Sequence, residues 1–431
     1  MLRNFLLPVN KLPPEVLSKV LEHRGSERDL VAATHVCRYW RSSIISSPTL
    51  WTRLQYHKDI GRTYTYLERS KSVPVDIEIN LELHKRNRIS FGPLVSLIGK
   101  ARSLKIYGPN NSVQEAIRFA SCSHAPFLQH LEIDSWLDED HGQDVIWFPD
   151  DFPGRHTPAL LSVNFTNALP ALKSHSPLLN LTRFKLLFRR SMGELRASAL
   201  FLFLSSSPQL KEVSIRILTT MIGDITPNTF VSLESLEELE YRCSRSGVRV
   251  LPSMRLPGLK MLAVETRADT LVDLLPFDGH LLLSETTAMV YCHRRKTLRK
   301  AEFCGSGVRI EVSSTSLSEG TNPVDWFSDT HPIAFSRIQR LVVKDVSGAA
   351  FSGVIELPVA AFENLEVLHV FECPAWYVDG ICRTLSPRDE GDISCRFLQD
   401  VNCKCPKAFA SLDRLAKERK RVGSQFRLYY L

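Results

Sequence analysis

Residues 12–54 read LPPEVLSKVLEHRGSERDLVAATHVCRYWRSSIISSPTLWTRL, and their apolar residues fall into three short helical patterns. The spacing predicts a first helix that begins after Pro13 and ends at Gly25. It predicts a second helix that carries Leu30, and a third that carries Trp40 and ends before the next proline. Three helices of about ten residues bury little apolar area, so this segment needs a further surface to pack against.

The chain as a whole has 431 residues and an ordinary globular composition, with 44% apolar and 23% charged residues. This length predicts two or three domains, or one elongated repeat array. The formal net charge is +7 and the isoelectric point is about 8.9, but Lys and Arg are scattered, so we expect no nucleic-acid partner. The sequence contains no apolar run of about 18 residues and no pattern of a secretory signal. We therefore expect a soluble protein of the cytoplasm, the nucleus or both, without a membrane partner.

Beyond residue 74 a short unit recurs, in which an apolar residue is followed by others at the third and fifth positions after it. It begins at Ala101, Leu128, Leu160, Leu181, Leu210, Leu236, Leu259, Leu298, Ile338, Leu365 and Leu398, about 30 residues apart on average. The pattern also arises by chance in a chain so rich in apolar residues, but several copies follow a proline by two residues, as in PFLQHLEI and PGLKMLAV. Stretches between them, such as VQEAIRFASCS and ASALFLFLSSS, favour helices. This recurrence predicts that strand, turn and helix are repeated along the chain.

Before the repeats, RTYTYLERSKS predicts a helix, and the alternation of apolar and polar residues in VPVDIEINLEL predicts a strand. In a parallel sheet, the residues between the apolar positions of each strand lie on the opposite, concave face. The candidate contacts to a target on that face are His130, Glu132, Lys211, Glu240, Lys260, Lys300, Arg340 and His369. Their mixture of charge signs favours a protein partner over a polyanion, and simple solvation is the alternative for each of them.

Three pieces of the opening stretch, LPPEVL, RDLVAATHVCRYWRSSI and PTLW, resemble an F-box in their order and spacing. The repeats resemble the irregular leucine-rich repeats behind many F-boxes, although the usual Asn or Cys, eight residues after the first apolar position, stands only at Cys373. The resemblance implies an α/β fold: a short three-helix F-box, then an irregular leucine-rich-repeat solenoid with a curved parallel sheet and helices on the convex side. We expect an F-box-like domain at 8–56, a connecting helix at 57–73, repeats at 74–405, and a C-terminal capping helix and tail at 406–431.

This resemblance implies a non-catalytic function, that of a substrate-receptor subunit in an SCF-type cullin-RING ubiquitin ligase. The F-box would bind the small Skp-family linker, and through it a cullin, while the repeats would bind a protein target. The residues that match motif positions, and would form the linker-facing surface or its supporting core, are Leu12, Pro13, Leu17, Leu30, Val36, Trp40 and Trp51. The alternative is a leucine-rich-repeat interaction scaffold that joins no ligase. Arg24, where family members often carry an apolar residue, favours that alternative.

Residue types that could support catalysis or bind a cofactor form no recognisable pattern. The spacing of a phosphate loop is absent, and no Gly-x-Ser-x-Gly nucleophile elbow occurs. Cys395, Cys403 and Cys405, with Cys373 upstream, lack the two Cys-x-x-Cys pairs of a zinc site, so ordinary buried thiols are favoured. We therefore expect no catalytic residue, no cofactor and no metal.

The C-terminal stretch PKAFASLDRLAKERKR predicts a final helix with Leu412 and Leu415 on its apolar face. Its last turns are basic and include Arg419, and basic residues suit the negative end of the helix dipole. We expect a capping helix whose basic face is solvated. A nuclear signal or a contact with anionic lipid is a less favoured alternative.

Overall fold

The computed structural model describes residues 8–24, 27–56, 60–82, 95, 97–121, 123–136, 146–148, 157–170, 178–189, 195–217, 221–222, 230–243, 250–266, 286–294, 298–305, 309–314, 337–347, 362–371, 373–387, 395–405, 408–422 and 426–430. The glycine predicted to end the first helix, Gly25, lies outside these residues. The chain divides into two compact units, Met1–Leu186 and Leu187–Leu431. Within the described part of the chain, no helix is both long enough and apolar enough to cross a membrane.

The first unit begins with short helices, as predicted. In chain order these are a 3-10 helix at Pro8–Lys11, α1 at Pro14–Arg24, α2 at Glu27–Ala33, α3 at Arg38–Ser46 and a second 3-10 helix at Pro48–Trp51. Cys37 caps the start of α3, because its Sγ accepts a hydrogen bond from the Trp40 N–H at 3.5 Å. Pro48 begins the second 3-10 helix, which agrees with the end of α3 expected there.

The rest of the first unit is a sheet with accompanying helices. Its elements are β1 at Arg53–Tyr56, α4 at Ile60–Arg69, β2 at Val75–Asn80, β3 at Ala101–Pro109, α5 at Asn110–Ser121, β4 at His130–Trp136, β5 at Ile146–Phe148, β6 at Ser162–Thr166, β7 at Ala168–Pro170 and β8 at Arg183–Phe188. The strand order is β1-β2-β3-β4-β6-β8, and β5 pairs separately with β7. The pairs from β1 to β6 are parallel. The predicted helix at α4, strand at β2 and helix at α5 are confirmed.

The second unit is also built from strands with helices between some of them. Its elements are β9 at Leu195–Arg196, α6 at Ala197–Ser205, β10 at Glu212–Ile217, β11 at Met221–Ile222, β12 at Val231–Ser232, β13 at Glu238–Cys243, a 3-10 helix at Leu251–Ser253, β14 at Met254–Arg255, β15 at Met261–Thr266, β16 at Thr286–Arg294, β17 at Leu298–Gly305, β18 at Arg309–Ser314, β19 at Arg340–Ser347, β20 at Val367–Phe371, α7 at Ala375–Leu385, β21 at Asp400–Lys404, α8 at Phe409–Arg421 and β22 at Arg427–Tyr430. The strand order is β10-β13-β15-β18-β17-β16-β19-β20-β21-β22, while β9 pairs with β11 and β12 with β14.

The recurring sequence unit corresponds to a recurring structure, a tight turn followed by a strand. In each turn a leucine N–H donates to the carbonyl three residues earlier, at 3.0 to 3.3 Å, which closes a β-turn. The donors are Leu128, Leu160, Leu181, Leu210, Leu236, Leu259, Leu365 and Leu398. A strand begins two residues after each of these leucines. At Gly258, in the middle of one turn, an added Cβ would lie only 2.7 Å from the Glu234 carbonyl oxygen, so neighbouring turns pack backbone to backbone.

The repeat predicted at Leu298 is wrong as a parallel unit. The strand there, β17, runs antiparallel to both β16 and β18. The pairs on either side of this insertion, β15 with β18 and β16 with β19, are parallel. The sequence pattern failed because alternating apolar residues suit a strand of either direction, so it specifies a strand but not its direction.

Polar side chains connect neighbouring strand ends, although the expected Asn or Cys position is mostly occupied by other residues. Ser135 Oγ donates to the Thr166 carbonyl at 3.0 Å, and Asn167 Nδ2 donates to the Ser135 carbonyl at 2.5 Å. Both residues lie one position earlier than the pattern expects, and Asn167 has a positive φ of 56°. Cys373, at the expected position, directs its Sγ to the Val343 carbonyl at 3.9 Å. The described chain therefore contains part of a polar ladder, although the sequence pattern places the usual residue only at Cys373.

The final helix forms as predicted, with Leu412 and Leu415 buried, but its basic end is not simply solvated. Arg419 is 0% exposed. Its guanidinium donates to the Leu385 carbonyl from Nε and Nη2, at 3.3 and 3.1 Å, and to the Cys395 carbonyl from Nη1 at 3.1 Å. The expectation of a fully solvated basic face is therefore wrong at Arg419, which connects α8 to the end of α7 and the start of the next turn.

The tail after α8 is a strand, which the sequence analysis did not predict. β22 pairs in parallel with β21, with Asp400 opposite Arg427 and Val401 opposite Leu428. Arg427 Nε and Nη2 donate to the two carboxylate oxygens of Asp400 at 2.7 and 3.0 Å. The tail therefore extends the sheet by one strand.

Candidate functional site

The structure divides the seven residues that match F-box positions into a core group and a surface group. Leu17, Leu30 and Trp51 are buried, and they belong to the core of the first unit. Leu12 and Trp40 are partly exposed, while Pro13 and Val36 are exposed. Only the second group is therefore available to a partner without rearrangement.

Trp51 packs the helical segment against the rest of the first unit. Its side chain is 0% exposed, and its Nε1 donates to the Ile44 carbonyl at 2.9 Å. Its ring lies edge-on to Tyr66 of α4, with 4.9 Å between centroids, and the Arg69 guanidinium lies 4.4 Å from the ring centroid. The further surface that the opening stretch needs is thus supplied in part by α4 of the same chain.

Trp40 connects two parts of the helical segment at its surface. Its Nε1 donates to Asn10 Oδ1 at 2.7 Å, which ties α3 to the first 3-10 helix. The neighbouring Tyr39 hydroxyl donates to the Leu12 carbonyl. These two bonds fix Leu12 and Trp40 relative to each other, so the partly exposed residues are held in place before any partner binds.

The helical segment exposes several apolar side chains that were not among the residues predicted to face a partner. Besides Val36, which is 51% exposed, these are Val9, Val16, Val20, Tyr39 and Ile45. Val16 and Val20 are four residues apart and therefore share one side of α1. The signal was present in the sequence, because α1 carries four apolar residues at 16, 17, 20 and 21, more than one narrow buried stripe requires.

A groove with a volume of about 1000 Å³ lies in the first unit beside the helical segment. Its charged lining consists of Arg28, Arg53, Arg62, Arg102 and Lys105 against Glu22, Glu27, Asp76 and Glu78. Two ion pairs lie within it, Glu27 with Arg62 at 2.7 Å and Asp76 with Arg102 at 2.6 Å. The charges nearly cancel, so the chemistry of the groove favours no class of ligand.

The candidate residues of the open sheet face are accessible wherever their side chains are described. Lys211, Lys260 and Arg340 are exposed, and His130, Glu132, Glu240 and His369 are partly exposed. The side chain of Lys300 lies outside the described part. The structure brings only some of them together, since His130 and Glu132 share β4, while His369 and Arg340 lie on the neighbouring strands β20 and β19.

In the first unit, polar contacts connect the side chains of neighbouring strands on this face. Lys105 Nζ lies 3.3 Å from Glu132 Oε1, and the Tyr107 hydroxyl donates to Glu78 at 2.8 Å. Burial and the Glu78 carboxylate raise the pKa of Tyr107 to about 12. Burial and the charge of Arg183 lower the pKa of His130, so we expect a neutral imidazole there at pH 7.

In the second unit, Glu240 is the centre of a similar network. It accepts from Ser214 Oγ at 2.5 Å and from Arg216 at 2.8 Å, and Arg242 lies 2.9 Å away. Burial alone would raise the pKa of Glu240, but the bonds from Ser214 and Arg216 outweigh it and hold the pKa below its ordinary value. Lys260 pairs with Glu237 at 2.8 Å. These candidate residues already have partners within the chain.

The cysteines considered as zinc ligands are buried thiols in the structure. Burial raises the pKa of Cys395 to about 12 and that of Cys403 to about 11, so neither thiol is poised to form a thiolate. Among the residues whose placement is described, no three His, Cys, Asp or Glu side chains lie together in a way that could hold a metal ion.

Comparison with protein families identifies the helical segment. Residues 9–57 match the F-box-like family. A comparison with curated proteins gives no match. The chain therefore has an N-terminal helical F-box-like region, followed by an α/β region with parallel strands, and the F-box-like domain supports assignment of the chain as an F-box protein.

Proposed function

We propose that the protein is the substrate-receptor subunit of an SCF-type cullin-RING ubiquitin ligase, in the cytoplasm, the nucleus or both. The observation that carries this proposal is the F-box-like match over residues 9–57. F-box domains generally bind Skp-family linkers and are non-catalytic adaptor modules. On this proposal the chain performs no bond chemistry, and it raises the effective concentration of a target beside an activated ubiquitin held elsewhere in the complex.

The linker would bind the apolar side chains that the F-box-like region exposes. Pro13, Val20 and Val36 are exposed there, and Trp40 is partly exposed and fixed by Asn10. Several exposed apolar side chains on one small helical region favour a protein-binding surface. Leu17, Leu30 and Trp51 would support that surface from the core without touching the linker.

The strand units would bind the protein target. We infer that they are irregular leucine-rich repeats, because a closing turn and a strand return together eight times and polar side chains link some neighbouring units. Each such unit buries its apolar strand residues and leaves the alternate ones accessible. The candidate target contacts remain the accessible residues of this face.

Co-expression with a Skp-family linker, followed by size-exclusion chromatography, tests the proposal. We expect the two chains to elute together at one-to-one stoichiometry. The double variant Val20→Glu with Val36→Glu places two charges on the proposed linker surface, so co-elution should be lost while the protein stays folded. Val95→Glu is the matched control, since Val95 is also 40% exposed but lies outside the F-box-like region.

Separate elution of a folded wild-type chain and linker would overturn the receptor proposal. It would favour the repeat scaffold that joins no ligase. Loss of co-elution in the Val95→Glu control to the same extent as in the double variant would also count against the assigned surface, because it would show a general effect of an added charge.

A further inference from the structure

The last four strands of the second unit, β19 to β22, present one side that the described elements leave accessible. Along β20 and β21, Leu368, Val370 and Val401 are buried, whereas the alternate residues are partly exposed. His369 lies opposite Asn402, and Asn402 lies opposite Tyr429. We call the accessible side of these four strands the β19–β22 face.

Aromatic side chains form the middle of the β19–β22 face. The rings of His369 and Phe371 are stacked, with 5.7 Å between centroids and 28° between planes. Tyr429, two strands away from His369, is 43% exposed. Accessible aromatic side chains are typical of protein interaction sites, because they bury a large area with little loss of side-chain freedom.

The charges of the β19–β22 face leave two cations without a carboxylate partner among the described residues. Asp400 is bound by both donors of Arg427, so the two charges neutralise each other. Arg340 and Lys404 are exposed, and neither forms an ion pair within the described chain. The remaining carboxylate among the described residues at this edge, Glu366, precedes β20 beside Arg340 but forms no ion pair with it, and the register places it roughly 16 Å from the Lys404 end of the strands.

The two available cations have a defined spacing. Arg340 begins β19, whereas Lys404 ends β21, two strands across and four residues further along. With a rise of about 3.3 Å per residue and about 4.8 Å between strands, their backbones lie roughly 16 Å apart. An extended peptide covers this distance in about five residues.

We propose that the β19–β22 face binds an extended acidic segment of a protein, with two carboxylates about five residues apart on Arg340 and Lys404. Apolar side chains between those carboxylates would lie on His369, Phe371 and Tyr429. The inference rests on the proposed function, since it names the chemistry of the target. A nucleic acid fits less well, because a polyanion needs many cations along its path, whereas Asp400 and Glu366 add negative charge to this face.

Selection from a displayed library of 12-residue peptides on the full chain tests the proposal. We expect enrichment of peptides that carry two carboxylates about five residues apart with aromatic or aliphatic residues between them. The most enriched peptide, made synthetically with a fluorescent label, should then bind the Arg340→Glu and the Lys404→Glu variants at least about tenfold more weakly, since each loses a charge-assisted contact.

Lys420→Glu is the matched control for both variants. Lys420 is an exposed lysine of α8 and lies on none of the four strands of the β19–β22 face, so its reversal should leave peptide affinity unchanged. Thermal melting of each variant must match that of the wild type. Selection that enriches no peptides with paired carboxylates, or equal weakening by Lys420→Glu, would overturn the proposal.

A labelled ten-nucleotide oligothymidine provides a further test of the partner class. If it binds as tightly as the selected peptide and is equally sensitive to Arg340→Glu, the face is a polyanion site and the inference is wrong. Linker co-elution of the wild-type chain separates this failure from a failure of the proposed function. A wild-type chain that co-elutes with the linker but binds no peptide with paired carboxylates would overturn only the target chemistry.

Discussion

The F-box-like region and the strand units use apolar residues in different ways. In the F-box-like region, Val16, Val20 and Val36 are exposed while Trp51 is fully buried. In the strand units, leucines such as Leu128 and Leu365 are fully buried at the end of each turn. The difference shows that the turn leucines of the units stabilise the fold, whereas several apolar residues of the helical region are available to a partner.

The largest effect that tests this contrast is expected within the F-box-like region itself. Trp51→Ala removes a fully buried ring and its hydrogen bond to Ile44, so the free energy of unfolding should fall by roughly 3 to 5 kcal/mol. Trp40→Ala removes a partly exposed ring and the bond to Asn10, and should cost only about 1 to 2 kcal/mol. Urea denaturation measures both values. Equal costs would contradict the division into core and surface.

A second test concerns the polar interior of the last units. Arg419→Ala leaves the Leu385 and Cys395 carbonyls without their buried donor, and should lower the free energy of unfolding by about 3 kcal/mol. Arg421→Ala, at an exposed position two residues later, should change it by less than about 0.5 kcal/mol. Urea denaturation of the two variants side by side is the measurement. Similar small losses in the two variants would contradict the buried position of Arg419 and support the solvated position that the sequence predicted.

The polar link between strand ends should have a smaller effect. Asn167→Ala removes the bond to the Ser135 carbonyl and places a Cβ-bearing residue without a local polar contact at φ 56°, so we expect a loss of about 2 kcal/mol. Asn167→Gly removes the same bond but suits the positive φ, so it should cost less than the alanine variant. The melting temperatures of the two variants measure this difference. A lower melting temperature for Asn167→Gly than for Asn167→Ala would exclude backbone conformation as a factor.

The smallest effect is a pH dependence that involves one histidine in each unit. Burial and Arg183 lower the pKa of His130, against the opposing charge of Asp76, and burial and Arg340 lower that of His369, against Asp400. The unfolded chain therefore binds protons more readily than the folded chain does. The contribution of the two neutral histidines to the free energy of unfolding is complete above about pH 6.5 and declines as the pH falls below it.

Melting temperatures between pH 7.5 and pH 5 measure this decline. The double variant His130→Gln with His369→Gln should show a shallower slope over that range. A single His124→Gln variant is the control, because the His124 side chain is exposed. An unchanged slope in the double variant would show that other groups dominate the pH response.

The sequence predicted the strand units well because their signal is local. An apolar strand residue and a closing turn lie within a few positions, as at Leu128 and Leu365, and need no knowledge of distant contacts. Leu298 was assigned wrongly because the direction of a strand depends on its neighbours. β22 was missed because RLYY is too short to reveal a pairing that β21 provides.

The candidate site was only partly predictable, because burial of a side chain is a property of the packed structure. The F-box motif selected Trp40 and Trp51 together, and only the packing of Tyr66 against Trp51 separates their roles. Composition suggested that Arg419 is solvated, since a charged residue is seldom fully buried. Two backbone carbonyls that converge on its guanidinium reverse this expectation, and neither is visible in a local sequence pattern.

The strand β1 makes the F-box-like region difficult to remove. It pairs with β2 from Arg53 to Tyr56, and the Asp76 N–H donates to the Thr52 carbonyl at 2.7 Å. A chain that starts after residue 56 would leave β2 with a bare edge, which is open to pairing with other molecules. Cloning boundaries placed there would produce an aggregation-prone fragment, so a partner-binding defect is better engineered by point substitution than by deletion.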